Sequence, residues 1–488
     1  MDDPQEQQGD EIELKLELSP RAAEKLLSYP PIAGVKPHHE HQSSIYFDTR
    51  KAKLRRRGWT LRVRSAGGQS IQTVKRTGTY SGLFDRQEWE SRVASSTFEE
   101  TAIARTPLKD RLGSHTLAGL RPAFRTEIDR DCWMIETPSG SIQLTLDRGV
   151  IRAGQQTEPV CEVELEIKQG EVDDLFRVAR DLARRVPSRI GVLSKSDRGY
   201  CLSNGGRDGP SVAPPVALCH DMSVAQAFAA VSSACLHHFR LNEAAFLDDR
   251  DAESLHQMRV ALRRLRSGIW LFKPAVRGEQ YQEIANRLRD FTKVLGAARD
   301  IDVCIAALSS QDSARPELQR ERGRRYQAVL RRLRAPGIRS LLIEIVAWTH
   351  AGDWRGSRRA NRPLMPFALK RIDRLWSQIQ ESSHPGSLPQ SEQHQLRIKI
   401  KKLRYSLEFL HQPLRSAKPE RKRFRDACEK LQDALGRLND QAACRPLEAG
   451  AWLEFDQRGS AKGQIGVARR SFRKLCKIGP FWRRARET

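Results

Sequence analysis

Strict alternation between charged and apolar residues is the feature that most constrains the fold of this chain. It occupies Glu11–Leu18, which reads E-I-E-L-K-L-E-L, and it returns at Glu162–Lys168, which reads E-V-E-L-E-I-K. Successive side chains of a β-strand point to opposite faces, so each segment has one charged face and one apolar face. A helix would spread the same charges around its circumference. The alternation therefore predicts strands.

Shorter alternating segments between these two carry both signs of charge. L-R-V-R places Arg62 and Arg64 on one face, and R-Q-E-W-E places Arg86 with Glu88. An antiparallel sheet with one face in water would also carry charges. Closing the strands into a barrel would instead turn the charged faces into a lumen. Carboxylates there suit Mg²⁺ or Mn²⁺, and Arg and Lys suit phosphate oxygens, so metal-assisted phosphate chemistry without a P-loop is predicted.

The net charge of +25 is divided unevenly along the chain. Residues 1–210 contain 33 basic and 31 acidic residues, whereas residues 211–488 contain 52 and 29. Such a positive excess in one half is typical of a polyanion-binding domain. Ser203–Pro215 is rich in Gly, Ser and Pro, which predicts a linker. We therefore expect a β-rich domain at 1–205, a linker at 206–217 and a second domain at 218–488.

Several classes of protein are disfavoured by the same sequence. No apolar run approaches the roughly 18 residues that a membrane span needs. The nine cysteines include no C-x-x-C pair, so neither a zinc finger nor a disulfide framework is indicated. The acidic first residues do not resemble a signal peptide. A cytoplasmic protein without a membrane partner is the expectation.

A series of segments in the first 202 residues resembles the CYTH superfamily, the triphosphate tunnel metalloenzymes, and in particular bacterial inorganic triphosphatases with a second helical domain. The segments are E-I-E-L-K from Glu11, I-Y-F-D-T from Ile45, L-R-V-R from Leu61, T-V-K from Thr73, R-Q-E from Arg86, R-D-C-W from Arg130, L-D-R-G-V-I-R-A-G from Leu146, P-V-C-E-V-E-L-E from Pro159 and L-S-K-S-D-R-G-Y from Leu193.

This resemblance implies an eight-stranded antiparallel β-tunnel that hydrolyses inorganic triphosphate to diphosphate and orthophosphate with Mg²⁺ or Mn²⁺. The implied catalytic residues are Glu11, Glu13, Lys15, Glu164 and Glu166. The implied metal ligands are Glu11, Glu13, Glu162, Glu164 and Glu166. The implied substrate ligands are Arg62, Arg64, Lys75, Arg86, Arg130, Lys195 and Arg198. Hydrolysis of a nucleoside or thiamine triphosphate, or cyclisation of ATP as in class IV adenylyl cyclases, remains the alternative tunnel activity.

The second half of the chain is predicted to be helical and internally duplicated. His256–Arg266 reads H-Q-M-R-V-A-L-R-R-L-R, and His394–Arg404 reads H-Q-L-R-I-K-I-K-K-L-R. Each copy is followed by a similar block, L-G-A-A-R-D at Leu295–Asp300 and L-G-R-L-N-D at Leu435–Asp440. Such self-similarity indicates two related helical bundles, at about 218–350 and 351–488.

The histidine and basic residues of each copy lie at the same offsets and on one side of a helix. A lone basic stripe is commonly a solvated surface, but its recurrence favours polyanion binding. The repeat resembles the CHAD domain, which implies two pseudo-symmetric bundles that bind inorganic polyphosphate. The implied contacts are His256, Arg259, Arg263, Arg264, Arg266, Arg299, His394, Arg397, Lys401, Lys402 and Arg404.

Two further alternatives concern the whole chain. The first is a scaffold that binds polyphosphate, associates with polyphosphate granules and has weak tunnel activity. The second is nonspecific binding of nucleic acid by the cationic half. Because the basic helices lack regularly spaced aromatic residues, base stacking is poorly supported and no specific nucleic-acid partner is expected.

Overall fold

A closed antiparallel barrel forms the first part of the computed structural model, which describes residues 8–76, 83–206, 209–382, 385, 388–415, 418–443 and 461–486. The strands in these residues are β1 (Gln8–Leu18), β2 (His38–Asp48), β3 (Trp59–Ala66), β4 (Gln69–Arg76), β5 (Leu83–Val93), β6 (Arg121–Thr137), β7 (Gly140–Ala153), β8 (Gln156–Gln169) and β9 (Ser188–Ile190).

The strand order is β5-β4-β3-β2-β6-β7-β8-β1-β9, and β1 also pairs with β5. That last pairing closes eight strands into a barrel, while β9 pairs with the end of β1. The predicted eight-stranded antiparallel tunnel is therefore confirmed.

The alternation in β1 assigns its two faces. Leu14 and Leu16 are fully buried on the outer face, where α1 (Pro20–Leu26) and α5 (Val172–Arg185) cover β1 and β8. Glu13 and Lys15 line the lumen. The apolar core of this unit thus lies outside the barrel wall, and the interior of the barrel is polar.

Short helices lie between the strands along the chain. They are α2 (Lys53–Arg56), α3 (Glu100–Ala104), α4 (Ser114–Leu117) and α6 (Lys195–Ser203). Helix α6 contacts β6, β7 and β8, and it approaches so closely that a Cβ on Gly199 would lie 2.1 Å from the Phe124 ring. Ser194 caps α6 and begins a capping box with Asp197. This placement directs Lys195, the first residue of α6, into the barrel.

The second part of the chain is helical, as predicted. Its helices are α7 (Val224–Asp249), α8 (Ala252–Val276), α9 (Glu279–Ala307), α10 (Arg315–Arg334), α11 (Pro336–Ala351), α12 (Leu364–Gln380), α13 (Gln390–Phe409), α14 (Lys418–Ala443) and α15 (Ala461–Ile478). Within the described residues, no helix has the length and apolar character needed to cross a membrane.

The structure divides into two compact units. The barrel unit contains Met1–Pro210 and also Arg334–Ala351, whereas the helical unit contains Ser211–Leu333 and Gly352–Thr488. Helix α11 therefore belongs to the barrel unit, where it packs on α5 and β9. The remaining helices fall into two sets of four, α7–α10 and α12–α15.

The repeated sequence motifs occupy corresponding helices of the two sets. The histidine motif lies on the second helix of each set, and the L-G block lies on the third. The starts of α7 and α12 are joined by backbone hydrogen bonds, from Val224 N to Arg362 O at 2.9 Å and from Leu364 N to Met222 O at 2.9 Å.

Candidate functional site

The lumen of the barrel holds a cavity of about 380 Å³. All eight barrel strands contribute side chains to its wall, and the start of α6 adds three more residues. The charged residues of the wall are Glu13, Lys15, Arg62, Arg64, Lys75, Glu88, Glu90, Arg130, Glu164, Glu166, Lys168 and Lys195. The lumen is therefore a tunnel lined by both signs of charge.

Three buried carboxylates meet on one side of the tunnel, and we call them the acidic cluster. Ligand atoms of Asp147, Glu162 and Glu164 all lie within 4.8 Å of one another. Lys195 Nζ lies 2.5 Å from Asp147 Oδ2 and 2.6 Å from Glu162 Oε1. It is also 3.0 Å from Glu164 Oε1. Lys15 Nζ is 3.0 Å from Glu162 Oε1 and also contacts Glu164, so two ammonium groups hold the cluster together.

Arg130 completes this network from the neighbouring strand. Its Nε and Nη2 donate to the two oxygens of Asp147 at 2.7 and 2.6 Å. Its Nη2 also donates to Glu164 Oε2 at 2.9 Å. The bidentate geometry is the strong form of a charge-assisted hydrogen bond. Three carboxylates are thus balanced by three cations.

The network shifts the pKa values of its members in opposite directions. Burial alone would raise the pKa of Glu164, but Lys15 and Lys195 outweigh it and hold the pKa well below the ordinary value. Burial alone would lower the pKa of Lys195, but the carboxylates of the cluster outweigh it and hold that pKa well above the ordinary value. The site therefore keeps its charges across the neutral range.

A second group of charges lies on β3, β4 and β5, across the barrel from β7 and β8 in the strand order. Lys75 contacts Glu88, and Arg64 Nη2 lies 3.7 Å from Glu90. Arg62 has a buried Nε without a hydrogen-bond acceptor in the described part of the chain. The pKa of Arg64 is lowered by burial and by the positive charge of Arg62. An anion bound between the guanidinium groups of Arg62 and Arg64 would accept a hydrogen bond from the Arg62 Nε. It would also offset the lowering of the Arg64 pKa.

The structure thus brings together most of the tunnel residues singled out from the sequence. Glu13 and Glu166 are direct cross-strand partners on β1 and β8, and both line the cavity. Glu162 lies behind the wall, 1 % exposed. Arg198 also lies outside the cavity wall, where its Nε donates to Glu158 at 2.7 Å. The side chains of Glu11 and Arg86 lie outside the described part of the structure.

Asp147 is the main residue of the site that the sequence did not single out. It is fully buried, and it faces Arg130 on β6 and Glu162 on β8. It ends the alternating segment Q-L-T-L-D, in which Gln143, Thr145 and Asp147 share one face of the strand. Only the pairing of β6 with β7 and the position of α6 show that it contacts two of the expected substrate ligands, Arg130 and Lys195.

The acidic cluster has the donor chemistry of a site for a hard divalent cation. Its ligand atoms are carboxylate oxygens, which Mg²⁺ and Mn²⁺ prefer. Glu162 Oε2 is buried without a hydrogen-bond donor among the described residues, although Arg198 Nη1 lies 3.5 Å away. The residues therefore fit such a cation, but the ammonium groups of Lys15 and Lys195 lie among the same oxygens.

In the helical unit, α8 and α13 carry the two histidine motifs and pack against each other. In both copies an arginine of this motif lies across the glycine of the L-G block on the next helix. Arg259 Nη1 donates to Gly296 O at 3.3 Å, and a Cβ on Gly436 would lie 3.1 Å from Arg397 Nη2. The two repeated motifs are therefore in contact within each copy.

Arg264 lies inside the helical unit, whereas the sequence led us to place it on the exposed basic face. It is 1 % exposed. Its Nη2 donates to Pro214 O at 3.2 Å, and its Nε lies 3.0 Å from Glu408 Oε1. The segment before α7 covers this flank of α8, and Asn242 Nδ2 holds that segment through Ser211 O at 2.9 Å. Helical spacing alone puts Arg264 beside the basic face, and the covering segment is what buries it.

Cations gather around Trp270 on α8. Lys402 Nζ and Arg371 Cζ lie 5.3 and 4.6 Å from the centre of its ring. Burial and the nearby positive charges of Arg266 and Arg371 lower the pKa of Lys402. Arg371, from α12, was not singled out from the sequence. Cations held together in this way favour an anionic ligand.

Several other expected polyphosphate contacts have acidic partners. Arg259 Nη1 is 2.9 Å from Asp300, Arg299 is 3.9 Å from Asp302, and Arg404 is 3.7 Å from Glu429. Burial and the charge of Arg299 lower the pKa of His256. The remaining expected contacts on α8 and α13 are Arg263, His394, Arg397 and Lys401.

Comparison with known families now accounts for both units. Residues 9–200 match the CYTH domain, and residues 230–447 match the CHAD domain. The chain carries a CYTH domain followed by a CHAD domain. Helix α11 lies within the matched CHAD range but packs in the unit that contains the CYTH barrel.

Individual relatives are similar to one part of the chain each. An inorganic triphosphatase of Haemophilus influenzae is 30 % identical over 197 residues, which are 40 % of this chain and 55 % of that protein. The chain therefore spans about half the length of this curated relative.

The solved structures that are similar to this chain include one for each of its parts. The CHAD domain of Ricinus communis is 25 % identical with a TM-score of 0.43, over 56 % of this chain and 93 % of that one. A Hippeastrum adenylyl cyclase with a dominant triphosphatase activity, HpAC1, is 19 % identical with a TM-score of 0.31, over 40 % and 97 % of the two chains.

Proposed function

We propose that the CYTH tunnel hydrolyses inorganic triphosphate to diphosphate and orthophosphate, and that the CHAD helices bind inorganic polyphosphate. The observation that carries the first part is the closed tunnel, in which Arg62 and Arg64 face a cluster of buried carboxylates across one cavity. The inorganic triphosphatase activity of the Haemophilus influenzae relative supports the same reaction.

The charge of the tunnel supports a metal-dependent reaction. Seven cations and five carboxylates line the cavity, and Asp147 and Glu162 behind it bring the carboxylates to seven. A triphosphate therefore enters a site with no excess positive charge among the described residues. Bound Mg²⁺ or Mn²⁺ would neutralise phosphate oxygens and activate water. Glu13, Glu164 and Glu166, with Glu11 and Glu162, are the proposed ligands, and Asp147 is added to them because it belongs to the acidic cluster.

The residues of the chain would orient the substrate for in-line attack. Lys15, Arg130 and Lys195 would bind one end of the triphosphate, and Arg62, Arg64 and Lys75 the other, because these two groups lie on opposite walls. Arg86 and Arg198 are proposed as outer contacts. Cations fixed in place before the reaction stabilise the charge that builds up on the transferred phosphoryl group. The proton of the attacking water would pass to one carboxylate of the neighbouring pair Glu13 and Glu166.

Phosphate release from triphosphate, diphosphate, ATP and thiamine triphosphate, each with Mg²⁺ and then with Mn²⁺, tests the tunnel activity. We expect release from inorganic triphosphate above all, and loss of that release in the Glu11→Gln/Glu13→Gln double variant. Faster release from ATP or thiamine triphosphate would favour an organic substrate. A wild-type protein without any release would favour the scaffold.

Polyphosphate binding is tested separately on the same full-length chain. The Arg263→Glu/Lys401→Glu double variant should bind polyphosphate more weakly and hydrolyse triphosphate normally. The Glu11→Gln/Glu13→Gln double variant should bind polyphosphate normally and lose triphosphate hydrolysis. Duplex DNA should compete poorly at physiological salt, because its electrostatic binding fades steeply with ionic strength. The proposal includes a cytoplasmic location and association with polyphosphate granules.

A further inference from the structure

We infer that Lys15 and Lys195 close the acidic cluster to divalent cations until a polyanion draws their ammonium groups away. The inference rests on the proposed function of the tunnel, and it concerns the order in which the site is filled. It assigns to these two lysines a role besides phosphate binding, as removable counter-ions of Asp147, Glu162 and Glu164.

Lys195 lies in the position that a divalent cation would need. Its Nζ is 2.5, 2.6 and 3.0 Å from one oxygen of each of the three carboxylates. An ammonium group has three donors, so these contacts use its full capacity. A hard cation bound by three carboxylates would take the same central position. The ammonium and the cation therefore exclude each other.

The charge balance of the network adds to this exclusion. Lys15, Lys195 and Arg130 neutralise the three carboxylates, and all six side chains are at least four-fifths buried. A divalent cation added to this neutral group would introduce a buried charge excess, which is costly at low dielectric. Removal of the lysines would leave three carboxylates with two cationic partners, Arg130 and, 3.5 Å from Glu162, Arg198. That cluster would attract the cation.

The lysines are better able to leave than the arginine. Arg130 is fixed by two parallel hydrogen bonds to Asp147. Each lysine is a point charge on a flexible four-carbon stem. Both lysines also line the cavity, where phosphate oxygens would compete with the carboxylates for hydrogen bonds from the ammonium groups. A triphosphate would thus open the cluster by moving the lysines and leaving the arginine in place.

The consequence is that polyanion and metal increase each other's affinity for the tunnel. Such coupling is reciprocal, and a typical value lies between about fivefold and about 150-fold. We expect the metal-free protein to bind a triphosphate analogue, and the analogue-free protein to bind Mn²⁺ weakly.

Mn²⁺ binding to the full-length chain, followed by electron paramagnetic resonance without any polyanion, tests the role of Lys195. Lys195→Met should bind Mn²⁺ on the order of tenfold more tightly than the wild type. Lys75→Met is the matched control, because it removes the same charge from the opposite wall, where Lys75 pairs with Glu88. An equal gain in both variants, or none in Lys195→Met, overturns the inference, provided that circular dichroism shows folded proteins.

A second measurement uses the wild type and does not depend on a buried substitution. Calorimetric titration with imidotriphosphate, which resists hydrolysis, is carried out in EDTA and in Mn²⁺, with the Mn²⁺–imidotriphosphate complex measured alone. Binding in both conditions, with tighter binding of Mn²⁺ in the ternary complex than to protein or analogue alone, supports the inference. Binding of the analogue without such coupling overturns the inference only. Failure of the analogue to bind at all contradicts the proposed tunnel function itself.

Discussion

Asp48 shows how one buried carboxylate organises a whole corner of the barrel. It is 1 % exposed and ends the I-Y-F-D segment of β2. Its oxygens accept the backbone N–H groups of Leu54 at 2.9 Å and Arg55 at 3.1 Å, at the start of α2. They also accept the hydroxyl of Tyr200 at 2.9 Å, from α6. The aspartate of this motif is therefore a structural residue.

We expect Asp48→Ala to lower the free energy of unfolding by about 3 kcal/mol, because it leaves buried N–H and O–H donors without an acceptor. Thermal unfolding followed by circular dichroism measures the loss. Asp110→Ala, at an exposed aspartate, serves as the control and should change the stability by less than about 0.5 kcal/mol. Similar stabilities of the two variants would contradict the structural role.

Glu164 predicts how the stability of the barrel depends on pH. Its pKa in the folded state is well below the ordinary value, with Lys15 and Lys195 overcoming the effect of burial. A depressed pKa contributes stability that is present above the unfolded pKa of about 4.3 and is lost as pH falls through the folded-state value. The wild-type barrel should therefore become less stable below about pH 4.3.

Glu164→Gln should remove part of this dependence. The denaturation temperatures of the variant and the wild type should differ most near neutral pH and converge in strong acid, because the wild-type carboxylate is then protonated. Calorimetry from about pH 2 to about pH 7 measures both. If the difference between the two denaturation temperatures stays constant with pH, the substitution destabilises the protein through packing and not through charge.

The contact between the histidine motif and the L-G block joins the second and third helices of each copy. The same substitution should act differently in the two copies, because a Cβ on Gly436 would lie 3.1 Å from Arg397 Nη2, whereas one on Gly296 would lie 3.9 Å from Arg259 Cζ. Alanine also favours a helix over glycine by about 1 kcal/mol. We expect both alanine variants to stay folded and only Gly436→Ala to displace an arginine.

Polyphosphate titration of the two variants tests this difference. Gly436→Ala should bind polyphosphate several-fold more weakly than the wild type, since Arg397 is a proposed contact. Gly296→Ala should bind normally and be as stable as the wild type or more so. Equal binding by the two variants would show that the position of Arg397 does not matter for the ligand.

Local periodicity predicted which face of a strand or helix each residue occupies, and it did so well for the barrel. It placed Glu13 and Lys15 on one face of β1, and that face lines the lumen. It could not predict register between distant strands, and so it missed the contacts of Asp147 with Arg130 on β6. Register depends on which strands pair, which is a property of the closed barrel.

Burial by distant segments was equally out of reach. Helical spacing placed Arg264 beside the basic face of α8, but the segment at Ser211–Pro214 covers that side chain. The covering segment reads as a linker in the sequence, because Gly, Ser and Pro carry no periodic signal. Its contacts depend on buried Asn242 and Arg264, which no local pattern connects to it.

The division of the chain between its two units is the property of the whole molecule that local patterns describe least well. Helix α11 is readily predicted as an apolar helix, and its position in the sequence suggests that it belongs to the helical domain. In the structure it packs on α5 and β9 of the barrel unit, and Arg180 Nε lies 3.0 Å from Glu344. The chain thus leaves the helical unit after Leu333 and returns to it at Gly352.

Ile345 tests this assignment, because it is a fully buried residue of α11. Ile345→Ala should destabilise the barrel unit by about 2 to 5 kcal/mol, the usual effect of removing a buried isoleucine side chain. Hydrogen exchange measured by mass spectrometry should then be faster in peptides from α5. Peptides from α13 should exchange as in the wild type, since the helical unit keeps its own core.

Ile372→Ala provides the reverse comparison. Ile372 is equally buried, but it lies on α12 of the helical unit. Its loss should speed exchange in α13, which packs on α12, and leave α5 unchanged. If both variants instead loosen the same peptides, α11 does not stabilise the barrel selectively. If only Ile345→Ala loosens α5, a helix encoded within the CHAD segment is part of the folded CYTH unit, and a fragment that ends before it should be less stable than the full chain.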